Sequence, residues 1–191
     1  MKSINQYIQE KLIVNKNTRA KKIEIKYNYF PETKEELKKL LKELIKVREY
    51  FGDFNDIDTS KITDMSELFY GLQFFTGDIS KWDVSNVKNA ERMFFNCESF
   101  NCPLNNWDVS NVTDMYGMFY GCLKFNQPLN DWNVSNVTNM RGMFQYCTSF
   151  NQPLDKWNVS NITNMKGMFA SCKKFNCNLS DWDVSKVTDM D

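Results

Sequence analysis

The five tryptophans of this chain recur at one constant spacing, 25 residues apart, at Trp82, Trp107, Trp132, Trp157 and Trp182. A strict period of this length is the sequence signature of a solenoid, in which each copy is one structural unit that stacks on the next. Two helices and their connections do not fit into 25 residues, which disfavours tetratricopeptide and ankyrin arrays. We therefore predict a stack of short coils and expect the tryptophans to be buried scaffold.

The copy that opens at Trp132 indicates what one coil forms. Trp132 and Val134 alternate with polar residues, as in a short strand. An apolar face follows at i, i+3, i+4 and i+7, typical of a two-turn helix: Met140, Met143, Phe144 and Cys147. Gly142 lies inside that helix and costs about 1 kcal/mol relative to alanine, which we interpret as close approach of an adjacent coil. The prediction is an α/β solenoid of about five strand-plus-short-helix coils with parallel, in-register strands.

The residues before the repeats predict a cap for the first coil. Residues 22–30 alternate apolar and polar side chains as a half-buried strand does. Thr33 and Glu36 form a capping-box pattern that opens an amphipathic helix over about 34–49. We divide the chain into a leader segment (1–21), a strand-helix cap (22–55) and the repeat array (56–191), whose last copy is incomplete. Membrane or nucleic-acid binding through the lysines of this helix is the less favoured alternative.

Composition and motifs give no sign of catalysis. The sequence has no histidine, the commonest general base and metal ligand, and it lacks a phosphate loop, a nucleophile elbow and a metal cluster. Four of the six cysteines hold one repeat position, which predicts reduced, buried thiols: Cys97, Cys122, Cys147 and Cys172. We expect no enzymatic activity, no cofactor and no metal. Aspartate or asparagine recurs at one repeat position (the Asp/Asn column), and three Asn-x-Thr sequons recur at another. We interpret both as side chains that support the corners of the coil, in preference to calcium binding or glycosylation.

Charge is divided along the chain. Residues 1–50 carry 13 basic and 7 acidic side chains, a net charge of +6, and the remainder carries a net charge of −6. We interpret the basic part as a solvated helix face and expect no nucleic-acid partner. No run of about 18 apolar residues is present, so we expect no transmembrane segment.

The repeat motif W-[DN]-V-S-N-V-T-[DN]-M-x-x-M-F-x-x-C-x-x-F-N-x-P-L resembles that of BspA-like leucine-rich-repeat surface proteins, of the Mycoplasma lipoprotein and Listeria repeat type. The resemblance covers residues 56–191, and residues 30–37 are similar to the segment that opens such arrays. It implies a leucine-rich-repeat-like solenoid in bacterial surface or secreted proteins used for adhesion. The chain lacks a signal peptide pattern, a lipobox cysteine and an anchor, so the sequence by itself indicates the cytoplasm.

These observations predict a non-enzymatic protein-interaction or adhesion module. The alternatives are a structural array that self-associates through an open C-terminal end, and an intracellular or phage-borne binding factor. Recognition of a protein partner or host surface ligand would lie on positions that differ between copies, although drift on a solvent face varies too. The candidate surface is Arg92, Tyr116, Arg141, Lys166, Tyr120, Tyr146, Lys81, Asn106, Asp131 and Lys156.

Overall fold

The computed structural model describes residues 26–190. Within that range the backbone forms one α-helix, α1, Lys34–Arg48, and strand pairing is limited to isolated parallel bridges of single residues. The predicted leader and residues 22–25 of the predicted first strand lie outside the described residues. In the remainder of that strand, Tyr29 forms one bridge, to Ile57.

Helix α1 is present where the sequence predicts it. The hydroxyl of Thr33 accepts a hydrogen bond from the amide of Glu36 at 3.2 Å, as expected of an N-cap residue. The carboxylate of Glu36 accepts from the amide of Glu32 at 2.8 Å, one residue earlier than in a standard capping box. One stripe of the helix packs into the core through Leu37, Leu40, Leu41 and Leu44.

A bidentate ion pair attaches the end of α1 to the segments beside it. The guanidinium of Arg48 donates to both carboxylate oxygens of Asp56, at 2.7 and 2.9 Å. Asn28 also donates to Asp56, at 2.8 Å, and the same guanidinium lies 5.5 Å from the ring centroid of Tyr29. Three separate segments of the chain therefore meet at one partly buried carboxylate.

Successive 25-residue copies lie on each other in register. A column of parallel bridges joins equivalent residues of adjacent coils: Asp64, Asn89, Asp114, Asn139, Asn164 and Asp189. Each bridge is flanked by two backbone hydrogen bonds; at the Asn139–Asn164 bridge these are Thr163 N to Thr138 O and Met140 N to Asn164 O, both at 2.9 Å. The pairing stops there, so the bridges do not extend into a sheet.

The segment predicted as a short helix is a run of tight turns, here called the turn ribbon (residues 140–147 and the equivalents 25 residues away). Within one coil, alternate amides donate three residues back, as Gln145 N does to Gly142 O at 3.1 Å. The intervening amides donate to the next coil, as Gly142 N does to Lys166 O and Phe144 N to Met168 O, both at 2.9 Å. An α-helix would instead use every amide internally, four residues back.

Left-handed backbone angles explain why the ribbon is not helical. Two columns of positions have φ between 51° and 72° in every coil that the structure describes. The first column is Glu67, Arg92, Gly117, Gly142 and Gly167, and the second is Gly71, Asn96, Gly121, Tyr146 and Ser171. A right-handed helix cannot contain these angles. Gly142 therefore serves the turn geometry, because glycine adopts a left-handed angle with the least strain.

The predicted fold class is therefore wrong. Residues 26–190 contain no sheet, and the coils are not strand-plus-helix units of a leucine-rich-repeat-like solenoid. Around Trp132 and Val134 the chain makes turns, with Trp132 N donating to Leu129 O at 3.0 Å and Val137 N to Val134 O at 2.9 Å. Polar side chains accept hydrogen bonds from other amides of this segment, as Asn133 Oδ1 does from Ser135 N at 3.2 Å. Few amides therefore remain for strand pairing.

The core consists of columns of like side chains along the stack. Two phenylalanine columns are stacked ring on ring, with centroids 5.5 Å apart for Phe94 and Phe119 and 6.0 Å for Phe100 and Phe125. The prediction that the tryptophans are scaffold is confirmed for the first four, which are at most 4% exposed, and Trp182 is half-buried. Each indole nitrogen donates to a carbonyl 28 residues earlier, as Trp132 Nε1 does to Leu104 O at 2.9 Å.

Three members of the cysteine column are buried, as the spacing predicts, namely Cys97, Cys122 and Cys147, and Cys172 is half-buried. All six cysteines are free thiols. Each column sulfur donates to a phenylalanine carbonyl 28 residues earlier, as Cys147 Sγ does to Phe119 O at 2.9 Å. Burial raises the pKa of Cys97 to about 12 and that of Cys172 to about 11. These thiols stay protonated at neutral pH and are poor nucleophiles.

Candidate recognition surface

Three of the candidate residues occupy one position of the turn ribbon in consecutive coils: Tyr116, Arg141 and Lys166. The ring of Tyr116 lies between two guanidinium groups, with the Arg92 Cζ 4.6 Å and the Arg141 Cζ 5.7 Å from its centroid. Arg92 also donates to the Tyr116 hydroxyl at 3.0 Å. The structure thus joins Arg92, Tyr116 and Arg141 into one cluster of alternating cations and aromatic rings.

Arg92 reaches this cluster from an unusual backbone position. It occupies the slot that holds Gly117 and Gly142 in the next two coils, with φ 51°. A non-glycine residue in this region is strained by about 1–2 kcal/mol. Its side chain lies 3.6 Å from the carboxylates of both Glu67 and Glu91, and its Nε is buried without a hydrogen-bond partner. Its interactions come from three coils.

A second set of aromatic side chains runs beside this cluster. The rings of Tyr70, Phe95 and Tyr120 stack nearly parallel, with centroids 4.9 and 4.3 Å apart. Tyr146 is not the next member of the column, because it occupies the left-handed slot of Gly121, with φ 62°, and meets Tyr120 edge-on at 5.3 Å. We call these four residues the aromatic ladder.

The electrostatics of this surface hold its groups in fixed protonation states. The hydrogen bond to Tyr116 and the nearby glutamates raise the pKa of Arg92 above its ordinary value. Burial, together with Tyr146 and Tyr116, raises the pKa of Tyr120. The surface therefore offers permanent cations beside neutral hydroxyl groups at neutral pH. Its inner ring faces cover one another, so edges and hydroxyls face outward.

The remaining candidates lie at another corner of the coil, beside the tryptophans. Lys81, Asn106, Asp131 and Lys156 are all exposed there. Lys156 Nζ lies 2.8 Å from Asp131 Oδ1, a surface ion pair of small energetic weight. The structure does not bring this set into contact with the aromatic ladder or with the Arg92 cluster.

The candidate list drawn from the sequence lacks four residues of this surface: Glu67, Tyr70, Glu91 and Phe95. Tyr70 belongs to the degenerate first copy, although it lies 25 residues before Phe95 and could have been found by extending that column. Glu67 and Glu91 are placed by their contacts to Arg92. Arg92 is among the predicted residues, but it replaces a ribbon glycine and does not share the repeat position of Tyr116.

The Asp/Asn column uses its oxygens inside the backbone. The Oδ1 atoms of Asp64, Asp114 and Asn164 each accept from the amide two residues on, at 2.7 to 3.0 Å. In the described residues, no group of three or more acidic, cysteine or histidine side chains is arranged to hold a metal ion. The side-chain amide of Asn136, in one of the sequons, donates to Ser110 O at 2.7 Å, so glycosylation at its nitrogen would replace an intercoil contact.

Two grooves lie at the ends of the described stack. One, of about 410 Å³, lies between α1 and the first coil and is lined by Lys38, Lys42, Ile45, Tyr70 and Leu72 among others. The other, of about 570 Å³, lies on the last coil and is lined by apolar side chains that include Met165, Phe169, Trp182, Val184 and Met190.

Comparison with known proteins identifies one family. The family described as "Mycoplasma protein of unknown function, DUF285" matches residues 36–138 and 128–191. No curated protein and no solved structure matches the chain. Within residues 26–190, the structure contains no helix that is long and apolar enough to cross a bilayer.

Proposed function

We propose that this chain, which belongs to the Mycoplasma protein family of unknown function DUF285, is a non-enzymatic protein-interaction module. Its recognition surface in this proposal is the aromatic ladder together with the Arg92, Tyr116 and Arg141 cluster. The partner is a protein or a host surface ligand, and adhesion is the biological role that the repeat resemblance favours.

The observation that carries the proposal is the Arg92 cluster. Arginine and tyrosine dominate the energetics of protein interfaces, because they combine large contact area with directional polar groups. Here the stacked coils hold both residue types in place before any partner binds, which lowers the entropy cost of association. The strained φ of Arg92 is the kind of local cost that clusters at functional sites. Purely structural selection would favour glycine at that slot.

The proposal is non-enzymatic because the described residues offer no activated nucleophile and the sequence has no histidine to act as a general base. The buried column thiols have raised pKa values, and an acid-base partner for them is missing because the sequence has no histidine. The polar side chains of the coils are engaged in backbone hydrogen bonds, as Asn133, Asp114 and Asn136 illustrate. Such groups support the turns and are poorly placed to act on a substrate.

The proposal is tested by comparing the partners that three proteins capture from host extract: wild type, a triple variant of the surface and a double variant as control. Tyr116→Ala, Arg141→Ala and Lys166→Ala are combined in the test protein. The matched control, Lys124→Ala with Lys174→Ala, removes two exposed cations from another position of the coil. We expect the test variant to lose a partner that wild type and control retain, with unchanged circular dichroism. An identical set of partners for all three proteins would remove this surface as the site.

Self-association is the second candidate function. It is favoured by the apolar groove on the last coil, where Val184 is 37% and Met190 55% exposed. Light scattering tests self-association directly, because it measures molar mass. A range of about hundredfold in protein concentration separates micromolar from weaker association. A strict monomer throughout would rule out assembly through this groove.

A further inference from the structure

The turn ribbons give the stack a direction. In each interior coil the ribbon amides that leave the coil donate to the following coil, and the outward carbonyls accept from the preceding one. Glu91 O, Met93 O and Phe95 O, for example, accept from Glu67 N, Phe69 N and Gly71 N at 2.8 to 2.9 Å. Every ribbon therefore presents acceptors toward α1 and donors away from it.

Within residues 26–190, no coil precedes the first ribbon (residues 65–72) to donate to its acceptors. Its equivalent carbonyls belong to Ser66, Leu68 and Tyr70, each 25 residues before one of the three that are paired in the next coil. In the part of the chain that the structure describes, no amide or side chain donates to them. An unpaired row of backbone acceptors beside an open groove is a template for a further segment of chain.

The groove between α1 and this ribbon lies where such a segment would bind. The ribbon wall contains Leu68, Tyr70 and Leu72, and the helix wall contains Leu41 and Ile45. Large apolar side chains continue from it onto the surface, where Val47, Tyr50, Phe51, Tyr70 and Phe74 are 39 to 69% exposed. Five such residues at one end of a protein form a patch of the kind that marks an interaction site.

Charge indicates what the groove accepts. Three lysines, Lys38, Lys42 and Lys46, line its helix wall, against one acidic residue, Glu67, on the ribbon wall. Lys46 already lies 2.9 Å from the Glu43 carboxylate, which leaves Lys38 and Lys42 as the main cations of the groove. The lysines are four residues apart, so their positions repeat about every 6 Å along α1. Alternate residues of an extended peptide repeat about every 6.6 Å. Glutamate or aspartate at every second position would therefore meet this lysine row. Residues 1–25 of the chain carry six basic and two acidic side chains and are mismatched to it.

From these observations we infer that the groove binds an extended peptide of a partner protein in which acidic and apolar residues alternate. Its amides donate to the carbonyls of Ser66, Leu68 and Tyr70, its apolar side chains pack on Ile45 and Leu72, and its carboxylates pair with the lysine row. The groove adjoins the first proposed surface, because it shares Tyr70 with the aromatic ladder and its Glu67 lies 3.6 Å from Arg92. Its test changes neither of these residues and does not depend on that proposal.

The test measures binding of a fluorescein-labelled seven-residue peptide, glutamate alternating with valine, to the full chain by fluorescence anisotropy. Two control peptides are used: one has lysine in place of glutamate, and the other is methylated on the alternate amide nitrogens that would donate. We expect the acidic peptide to bind at least about tenfold more tightly than either control. Equal binding of the methylated peptide would overturn the backbone pairing, and equal binding of the basic peptide would overturn the charge assignment.

Variants locate the binding on the protein. Lys38→Glu with Lys42→Glu is expected to weaken the acidic peptide by about tenfold or more and to reduce its salt dependence. The control Lys124→Glu with Lys174→Glu makes the same change in net charge at exposed positions outside the groove and should bind within about twofold of wild type. Equal losses in both variants would show non-specific attraction and refute the site, as would displacement by a single-stranded oligonucleotide at equal concentration.

One further variant distinguishes an outside partner from the protein's own first residues. Ile4→Ser, Ile8→Ser and Leu12→Ser remove apolar side chains from the N-terminal segment of the full chain. Unchanged affinity for the acidic peptide supports the proposal. A rise of about tenfold would mean that the chain's own segment competes for the groove and would overturn the assignment to a partner.

Discussion

Replacement of Gly142 by alanine separates the turn ribbon from the helix that the periodicity predicts, because the two structures require effects of opposite sign. In a helix, alanine is better than glycine by about 1 kcal/mol, and the variant would be more stable. In the ribbon, Gly142 has φ 58°, an angle that costs an alanine roughly 1–2 kcal/mol. The sign of the change in the free energy of unfolding therefore decides between them.

The surroundings of Gly142 let the backbone effect dominate. A Cβ atom there would lie 3.2 Å from Gln145 Oε1 and 3.7 Å from Tyr120 Cδ2. The first neighbour is the end of a flexible side chain and can move by a few tenths of an ångström. We therefore expect Gly142→Ala to destabilise by about 1–2 kcal/mol, and each kcal/mol corresponds to a fall of about 2–4 °C in Tm for a chain of this size.

Urea unfolding followed by tryptophan fluorescence measures this change, because every copy from Trp82 onward carries its own indole. Gly142→Asn is the matched control, since asparagine tolerates left-handed angles and should lose less. Gly121→Ala should lose more, because its Cβ would lie 2.3 Å from Asn96 Oδ1 and 3.4 Å from the Asn96 Cα. An increase in stability for Gly142→Ala would refute the ribbon.

Three further predictions follow from the same structure. Asp56→Ala should cost about 2–3 kcal/mol because it leaves the Arg48 guanidinium partly buried without its carboxylate. Burial acts to raise the pKa of Asp56, but the hydrogen bonds from Arg48 and Asn28 and the Arg48 charge together lower it. This contribution, present above the unfolded-state pKa, should therefore be lost as pH falls through the lower folded-state pKa, and a pH-independent difference between Asp56→Asn and wild type would contradict it. Trp132→Phe should lower the free energy of unfolding by about 2 kcal/mol, because it leaves a buried carbonyl unpaired. Trp182→Phe, at a half-buried site, should cost less in the same urea assay. Equal losses would contradict the idea that the neighbouring coils bury each tryptophan. Burial raises the pKa of Cys97 to about 12, so the thiol stays protonated to higher pH in the folded state than in the unfolded state. The free energy of unfolding should therefore fall as pH rises from about 8.5 toward 12. Rapid reaction of the folded protein's column thiols with Ellman's reagent at pH 8 would contradict their burial.

Helix α1 could be predicted from sequence because its local signals agree. Thr33 at the N-cap, acidic residues in the first turn and an apolar stripe all indicate one helix, and the structure places its hydroxyl bond and its buried leucines accordingly. The burial of the tryptophans and the phenylalanine columns could also be predicted, because the period brings equivalent side chains together whatever backbone lies between them. These inferences depend on spacing alone.

The backbone between those side chains could not be predicted by periodicity. Met140, Met143, Phe144 and Cys147 face the core in the ribbon as they would in a helix, since a chain of tight turns also brings residues three and four apart to one side. The signal that could distinguish the two was the pair of glycine slots four residues apart, as in Gly117 and Gly121, both of which have left-handed angles. That signal is obscured because half of the slots hold other residues: Glu67 and Arg92 in the first column and Asn96, Tyr146 and Ser171 in the second.

The candidate surface was predicted in part, for a physical reason. Variation between copies identified Tyr116 and Arg141, but it cannot show which coil's side chain reaches which neighbour. Arg92 lies one position out of their column and still meets the Tyr116 ring, because its left-handed φ turns the side chain toward the next coil. Contacts that cross coils at a shifted register are set by backbone angles, and those angles leave little trace in a single sequence.

The direction of the ribbon hydrogen bonds joins the fold to both proposed surfaces. Because the ribbon amides leave each coil on one side and the ribbon carbonyls on the other, the two faces of a ribbon are chemically different. The groove on the last described coil is lined mainly by apolar side chains such as Trp182 and Val184. The acceptor end beside α1 has both unpaired carbonyls and a cationic wall, so it offers a peptide two independent kinds of contact. On these grounds the α1 groove should bind a peptide more specifically than the C-terminal groove binds a second copy.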